Sequence, residues 1–397
     1  MPRRYAVGIV GFGTGGGALA VLLARAGHAV TLFERAPQVG PVGAGILLQP
    51  SGQGVLERLG LLHGVVAEAE PISGLRVFTA RGRTLIRLDY EEVLPGHCAY
   101  AVHRGRLFEA LYAAVREQAV AVCLDHEIAS WRVEGRGVSA VDVCGQAHGP
   151  FDFLVAADGS RSAMRSALDP SIAVHEYDFG ALWAVGRCTR VRGYLHQVTQ
   201  GTRHLLGLLP IGSERCTLFW SLPRDQMDVL RRPGRRGFTA WRDQVIGLSP
   251  LAQEVFADLG DFDAVAFTTY HRTSMKRPYN AHVVCLGDAA HSMSPHLGQG
   301  ANLALLDAEC LAFSLEEADS PSEAFSLYHG RRRGQILYYA TLSRLLTPFF
   351  QSRGWVLGVG RNVALPLMSL VGPMRREMEL GMAGVKRGFF AGSLEVT

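Results

Sequence analysis

The residues most suited to chemistry stand near the start of the chain. Gly11, Phe12, Gly13, Thr14, Gly15 and Gly16 follow the apolar run AVGIV, and Glu34 closes a second apolar run, HAVTLF. Glycine at 11 permits a tight strand-to-helix turn. At 13 it lets the backbone approach a pyrophosphate, and at 16 it lets the helix pack closely on the strand. Residues 18–26, rich in Ala and Leu, favour that helix. Its N-terminus, with Gly13 and Thr14 at the mouth, turns free N–H groups and a positive dipole end toward the same anion. Glu34 sits where a carboxylate binds ribose hydroxyls, which disfavours a 2′-phosphate here. Arg35 stands beside it as a further cofactor contact. The pattern reads as dinucleotide binding and leaves NAD and FAD both open.

Two later segments make similar local demands. Residues 153–165 read FLVAADGSRSAMR: an apolar strand, an Asp158-Gly159 turn and a basic, serine-bearing segment. Gly159 relieves backbone strain beside a ligand, Asp158 holds the turn, and Arg165 is near enough to meet an anionic cofactor. A bare Asp-Gly is an ordinary turn, so this segment gains meaning from its company. Residues 281–308 read AHVVCLGDAAHSMSPHLGQGANLALLDA. A strand ends at Gly287-Asp288, a loop holds Pro295, Gly298 and Gly300, and a helix begins near Ala301 with Asn302 in its first turn. Free N–H groups at that helix start stabilise negative charge on a reduced isoalloxazine, and Asp288 suits a ribityl hydroxyl. Gln299 is a candidate partner of flavin or substrate, and Pro295 sets the loop beside the ring. His291 and His296 flank the loop without further ligands at metal spacing, so no metal site is expected.

The ordered set GxGxxG with Glu34, then ADGSRSAMR, then GDAAHSMSPHLGQGANLALLDA resembles the group A FAD-dependent monooxygenases. These are the para-hydroxybenzoate hydroxylase-like and salicylate hydroxylase-like aromatic hydroxylases. Gly43-Ala44-Gly45-Ile46 is similar to their GAGI segment. His103-Arg104 with Leu107 and Leu111 is similar to an R-x-x-L-x-x-x-L helix whose arginine touches FAD. Residues 207–210, GLLP, resemble a G-x-x-P of the substrate domain. Phe12 departs from the smaller residue usual in the glycine turn. The resemblance implies an α/β fold with a Rossmann-like FAD-binding domain, its sheet doubly wound and mostly parallel, built from residues 1–72, 100–178 and 276–330. A mainly antiparallel β-sheet substrate domain would use 73–99 and 179–275, and a helical C-terminal region 331–397. It also implies FAD as cofactor, NADH or NADPH as a co-substrate docking without its own Rossmann fold, and molecular oxygen. The expected reaction is hydroxylation of a small aromatic ring through a C4a-hydroperoxyflavin. His204, opening the strand that leads to Pro210, is expected to face that ring as the base for a phenol proton, with His196 and Tyr194 next. Other readings are an FAD oxidase, reductase or epoxidase on a polyketide, quinone precursor or isoprenoid, or a non-catalytic FAD-binding protein. The nearest text to the halogenase signature WxWxIP is FWSLP, which does not match it.

The rest of the composition sets bounds. Across 397 residues the net charge is only +4, too mild to suggest nucleic acid. Seven scattered cysteines without a CxxC pair suit free thiols in a reducing cytoplasm. No run of about twenty apolar residues predicts a transmembrane helix. Arginines gather late in the chain; a solvated helical face is the favoured reading, with peripheral membrane contact the lesser one, and a homodimer is left open. Replacing Asp288 with Ala is expected to lower FAD content sharply, read from flavin absorbance of the purified protein. Unchanged occupancy would remove the assignment of that acid to the ribityl chain.

Overall fold

The computed structural model describes residues 3–38, 40, 43–230 and 235–394; residues 395–397 of the expected C-terminal region lie outside these. Five strands form an all-parallel sheet in the order β18-β12-β1-β2-β8. They are β1 (Ala6–Val10), β2 (Ala29–Glu34), β8 (Val120–Leu124), β12 (Phe153–Ala156) and β18 (Val283–Cys285). A parallel sheet is covered on both faces, which is why its inner strands read as unbroken apolar runs. Val7, Ile9, Leu32 and Val155 point to one core, and Val10, Phe33, Leu154 and Ala156 to the other. The first face carries α1 (Thr14–Arg25), α2 (Pro50–Arg58), α3 (Leu62–Val66), α4 (Arg104–Arg116), α10 (Gly300–Glu317) and the start of α11 (Pro321–Phe350). The second is covered by a three-stranded antiparallel ribbon, β9 (Ile128–Glu134), β10 (Gly137–Asp142) and β11 (Ala147–Phe151), and by α5 (Ala163–Leu168).

A seven-stranded sheet of order β17-β13-β16-β15-β14-β5-β6 stands apart from the first. Its strands are β5 (Gly74–Thr79), β6 (Thr84–Asp89), β13 (His175–Arg187), β14 (Tyr194–Gln200), β15 (His204–Pro210), β16 (Arg215–Pro223) and β17 (Ala266–Arg272). Every pairing is antiparallel except β14 with β5. The far face packs on α6 (Arg224–Leu230), α7 (Arg235–Leu248) and α8 (Gln253–Ala257) around Trp220 and Trp241. The near face meets Phe350 and Leu365 from the C-terminal helices. A small sheet of β3 (Gly45–Leu48), β7 (Ala99–His103) and β4 (Glu70–Ile72) lies where the chain passes from one large sheet to the other. The remaining helices are α9 (Asp288–His291), α12 (Trp355–Leu370) and α13 (Gly372–Met382).

Local chemistry accounts for the start of α11. The Ser320 hydroxyl accepts from the Glu323 N–H at 3.3 Å, and the Glu323 carboxylate accepts from the Asp319 N–H at 2.9 Å. Pro321 occupies a first-turn position that has no need of an N–H.

Farther in, a fully buried carboxylate joins four segments. Asp307 of α10 accepts from the Gly287 N–H at 2.9 Å, from His291 Nε2 at 2.5 Å and from Arg332 Nε at 2.6 Å. Arg332 also bonds Gln335, whose amide donates to the Gly384 carbonyl at 3.2 Å beyond α13. His291 and Arg332 together hold the Asp307 carboxyl below the usual carboxylate range despite its burial. A depressed carboxyl contributes stability that is present above its unfolded pKa and lost as pH falls through the folded one. Asp307→Asn leaves Arg332 buried without its counter-charge and is expected to cost about 3–5 kcal/mol at neutral pH. Urea titrations should show this deficit shrinking as pH drops below about 4, the ordinary aspartate value. A deficit that stays constant into acid would show that the charge contributes nothing.

Candidate functional site

The glycine turn is an open cradle. Gly11 has φ +101°, and a Cβ there would lie 2.5 Å from the Ala157 carbonyl oxygen. A Cβ on Gly16 would lie 2.1 Å from the Gly11 oxygen, so only glycine lets α1 sit this close to β1. Gly13 caps α1 with no side chain bonding the first N–H groups, and nothing stands within 4 Å of where its Cβ would be. Thr14 opens that helix, and the uncapped N-terminus with free space before it fits a pyrophosphate. Glu34 ends β2 beside this turn. Its carboxylate accepts from the Phe12 N–H at 2.8 Å and the Ala36 N–H at 3.0 Å. Those two amides fix its direction and leave lone pairs for ribose hydroxyls.

A cavity of about 1090 Å³ lies between the parallel sheet's loops and the near face of the seven-stranded sheet; Arg35 lines it, whereas Gly11, Gly13, Thr14, Gly16 and Glu34 do not. Arg35, Gly45, Arg104, Asp158 and Asp288 line its cofactor side, as do Pro295, Gly298, Gln299, Gly300 and Ala301. Gly298 adopts a left-handed turn, φ +61°, and α10 begins after it without a side-chain cap. The opposite wall is apolar and aromatic: Trp183 and Phe219 pack with ring centroids 4.8 Å apart, with Leu205 beside them in the same lining. Buried polar atoms of lining residues left without a partner include Gln49 Nε2, Asp158 Oδ1, Ser292 Oγ, His296 Nε2 and Gln299 Oε1. Buried polar atoms are normally paired, so their gathering around one cavity marks where a polar ligand is bound. The donors and acceptors here fit a flavin: Asp288 would serve the ribityl hydroxyls, and the uncapped start of α10 would favour negative charge on the ring.

The electrostatics follow from enclosure. Asp288 reaches the cavity surface, yet the protein packed around it raises its carboxyl; His291, Arg104 and Arg165 oppose that rise. Burial likewise raises Asp158, whose Oδ2 accepts from the Met164 N–H at 3.2 Å. Burial lowers His296 to about 4, so this imidazole is neutral at physiological pH.

Several residues singled out from the sequence lie elsewhere. Arg165 is buried and does not line the cavity. Its guanidinium donates to the Ala289 carbonyl at 3.2 Å and the Ser160 carbonyl at 3.0 Å, bracing two cofactor loops from behind. Asn302 is also fully buried. It accepts from the Gln49 N–H at 2.9 Å and donates to the Leu47 and Gly298 carbonyls at 3.0 and 3.1 Å. Its side-chain amide ties β3 to the start of α10, whose first turn keeps its backbone N–H groups uncapped. His204 requires a correction. Along β15 the residues that line the cavity are Leu205, Gly207 and Leu209. Strand alternation therefore turns His204 to the far face, where it stacks on Trp220 with centroids 5.1 Å apart. Tyr194 and His196 are turned away in the same manner, since Leu195 and Gln197 of β14 line the cavity.

The sequence reading also missed lining residues. Tyr270 and His271 end a strand whose face could not be assigned, and Gln49 precedes α2 with no motif around it. Leu365, Met368, Met374 and Met378 come from the C-terminal helices, which carry no family signature.

Comparison with known proteins shows the family and the fold. A family model described as an FAD binding domain matches residues 4–334. Aurachin C monooxygenase/isomerase of Stigmatella aurantiaca is 30% identical over 337 residues, 81% of this chain and 84% of that protein. The 6-methylpretetramide 4-monooxygenase of Streptomyces rimosus is 29% identical over 374 residues, 91% and 88% of the two chains. Among solved structures, an FAD complex of HpxO from Klebsiella pneumoniae superposes with TM-score 0.80 at 19% identity, covering 96% of this chain and 99% of that one.

Because Arg165 braces the loops without touching the cavity, Arg165→Ala is expected to weaken folding and cofactor retention together. Losing hydrogen bonds from a buried charged group costs about 1.5–3 kcal/mol each. Thermal melts and flavin content of the purified variant check this. A variant with an unaltered melt and slow flavin reduction would instead place Arg165 in the chemistry.

Proposed function

Since this chain belongs to the FAD-binding family whose domain its residues 4–334 match, we propose that it hydroxylates an apolar aromatic ring lying between the start of α10 and the near face of the seven-stranded sheet. It is an FAD-dependent monooxygenase. The observation that carries the finer reading is the two-sided cavity, with unpaired polar atoms on the cofactor side and an aromatic, aliphatic wall opposite. Bound FAD supplies the electron storage, filled from NADH or NADPH, and the activation of molecular oxygen.

The protein's own part is binding, orientation and exclusion of water. Trp183 and Phe219 offer flat apolar surface against which an aromatic substrate stacks. Leu205, Leu209 and Phe350 keep the space dry, which protects a reactive oxygen species from loss to water. Tyr270 is held protonated by burial, with its hydroxyl beside Trp183 in the cavity wall. His271 and His296 are the imidazoles in the lining; His271 Nε2 meets Glu176 at 3.2 Å, whereas His296 Nε2 has no hydrogen-bond partner and accepts from a ring hydroxyl. The monooxygenase names of both relatives support the reaction class.

The test is a screen of aromatic substrates followed by NADH and NADPH consumption, with product mass gaining one oxygen. With a substrate in hand, His296→Leu should leave flavin reduction intact while lowering product per NAD(P)H by about 10–100-fold, the value of one lost buried hydrogen bond with its unpaired partner. The missing product should appear as hydrogen peroxide. His204→Ala should keep wild-type coupling. The reverse pattern would return the acceptor role to His204.

A further inference from the structure

The helix α12 is built inside out. Its inward side carries Gly358, Leu365 and the guanidinium of Arg361, which donates to Thr199 Oγ1 at 2.8 Å and to the Gly201 and Phe349 carbonyls at 3.0 and 2.9 Å. Its outward side carries Trp355, Val359, Val363, Leu367 and Leu370, which follow one another at helical spacing, and Met374 continues them into α13. Trp355 is 76% exposed and Leu370 is 81% exposed. A water-facing helix normally shows the opposite arrangement, and an apolar patch of this kind marks an interaction surface.

Two further observations say what covers it. The first is charge. Of the eight arginines in residues 324–376, Arg332 and Arg361 are buried and Arg331, Arg353 and Arg375 are ion-paired, which leaves Arg333, Arg344 and Arg376 exposed with no ion-pair partner among the described residues. Exposed arginines flank the apolar stripe at both ends, Arg353 just before α12 and Arg376 after Met374. Arg353 shares its charge with Asp225 at 2.9 Å, whereas Arg376 has no ion-pair partner among the described residues. An apolar stripe with an unpaired cation, Arg376, at its end matches an anionic bilayer. A second copy of the same face would bring like charges together. The second observation is continuity. Met368 and Met374, both exposed, also line the cavity, and they sit on either side of the 102° bend between α12 and α13. No single helix among the described residues is long and apolar enough to cross a membrane, and α12 and α13 reach that length and apolarity only as a pair bent by 102°.

We propose that the outward face of α12, with the bend into α13, docks on an anionic lipid bilayer and admits a membrane-dissolved substrate to the cavity between Met368 and Met374. Substrate admission rests on the monooxygenase reading; lipid docking does not.

The FAD-loaded full chain should cosediment with vesicles of phosphatidylcholine and phosphatidylglycerol in equal parts. It should bind phosphatidylcholine alone far less, and salt should weaken the binding. Trp355 emission should be quenched by brominated lipid, a signal that Trp355→Phe removes. Leu367→Asp should lower the partition constant about tenfold or more, and Arg376→Gln about fivefold, the loss of one surface cation. Both variants should keep flavin content and thermal melt. Vesicle binding that is absent, indifferent to anionic lipid, or unchanged in both variants overturns docking. So does a dimer without lipid that Leu367→Asp disperses, since a second copy would then own the face. Substrate oxidation in detergent solution is scored separately: failure there with vesicle binding intact defeats the oxygenase reading and leaves docking standing.

Discussion

The architecture around the cavity depends on one buried carboxylate. Asp307 is in the interior of α10, out of reach of water, and it is tolerated there because an imidazole, a guanidinium and a backbone N–H all converge on it. That convergence fixes the turn at Gly287, which aims Asp288 into the cavity. It fixes α9 through His291, and it draws α11 against α10 through Arg332. From Arg332 the chain of contacts continues through Gln335 to Gly384, so the segment after α13 is registered against the same point. A buried ion pair is weak support for stability as such. Here it acts as a positioning device, since its partners come from the turn into α9 and from α11, and both segments contribute wall to the cavity.

Asn302 and Arg165 do comparable work on either side of that centre. Asn302 spends its amide on Gln49, Leu47 and Gly298, which holds β3 at a set distance from the start of α10. Arg165 spends its guanidinium on Ala289 and Ser160, which joins the loop after β12 to the loop after β18. Both sit in conspicuous motifs, and both act one layer behind the ligand. The backbone groups they steady are those that face a cofactor, which is how a site built on loops acquires the rigidity of the sheet beneath it.

The substrate side is assembled differently. Its polar content is sparse and its bulk is aliphatic and aromatic, drawn from the near face of the seven-stranded sheet and closed by α11, α12 and α13. The cofactor end is therefore specified by hydrogen-bond direction, and the substrate end by shape and dryness. The α12 helix connects these demands to the outside, because its few inward residues seal the cavity while its outward residues remain apolar.

The amino-acid sequence by itself determined the cofactor half. The glycines at 11, 13 and 16, the Asp158-Gly159 turn and the run from Gly287 to Asn302 are local backbone requirements, and a local requirement leaves its mark within a few adjacent residues. The antiparallel sheet was legible as strands for the same reason. Which side of each strand meets the cavity was not, because a period of two is satisfied equally well by either face. His204 and Leu205 are neighbours in β15, and only the packing of Trp220 against α7 on one side and of Phe219 toward Phe350 on the other decided which of them sees the substrate. The burial of Arg165 and Asn302, and the closing of the cavity by helices beyond the last motif, were decided in the same way. They depend on contacts between residues more than a hundred positions apart, and no local spacing records such contacts.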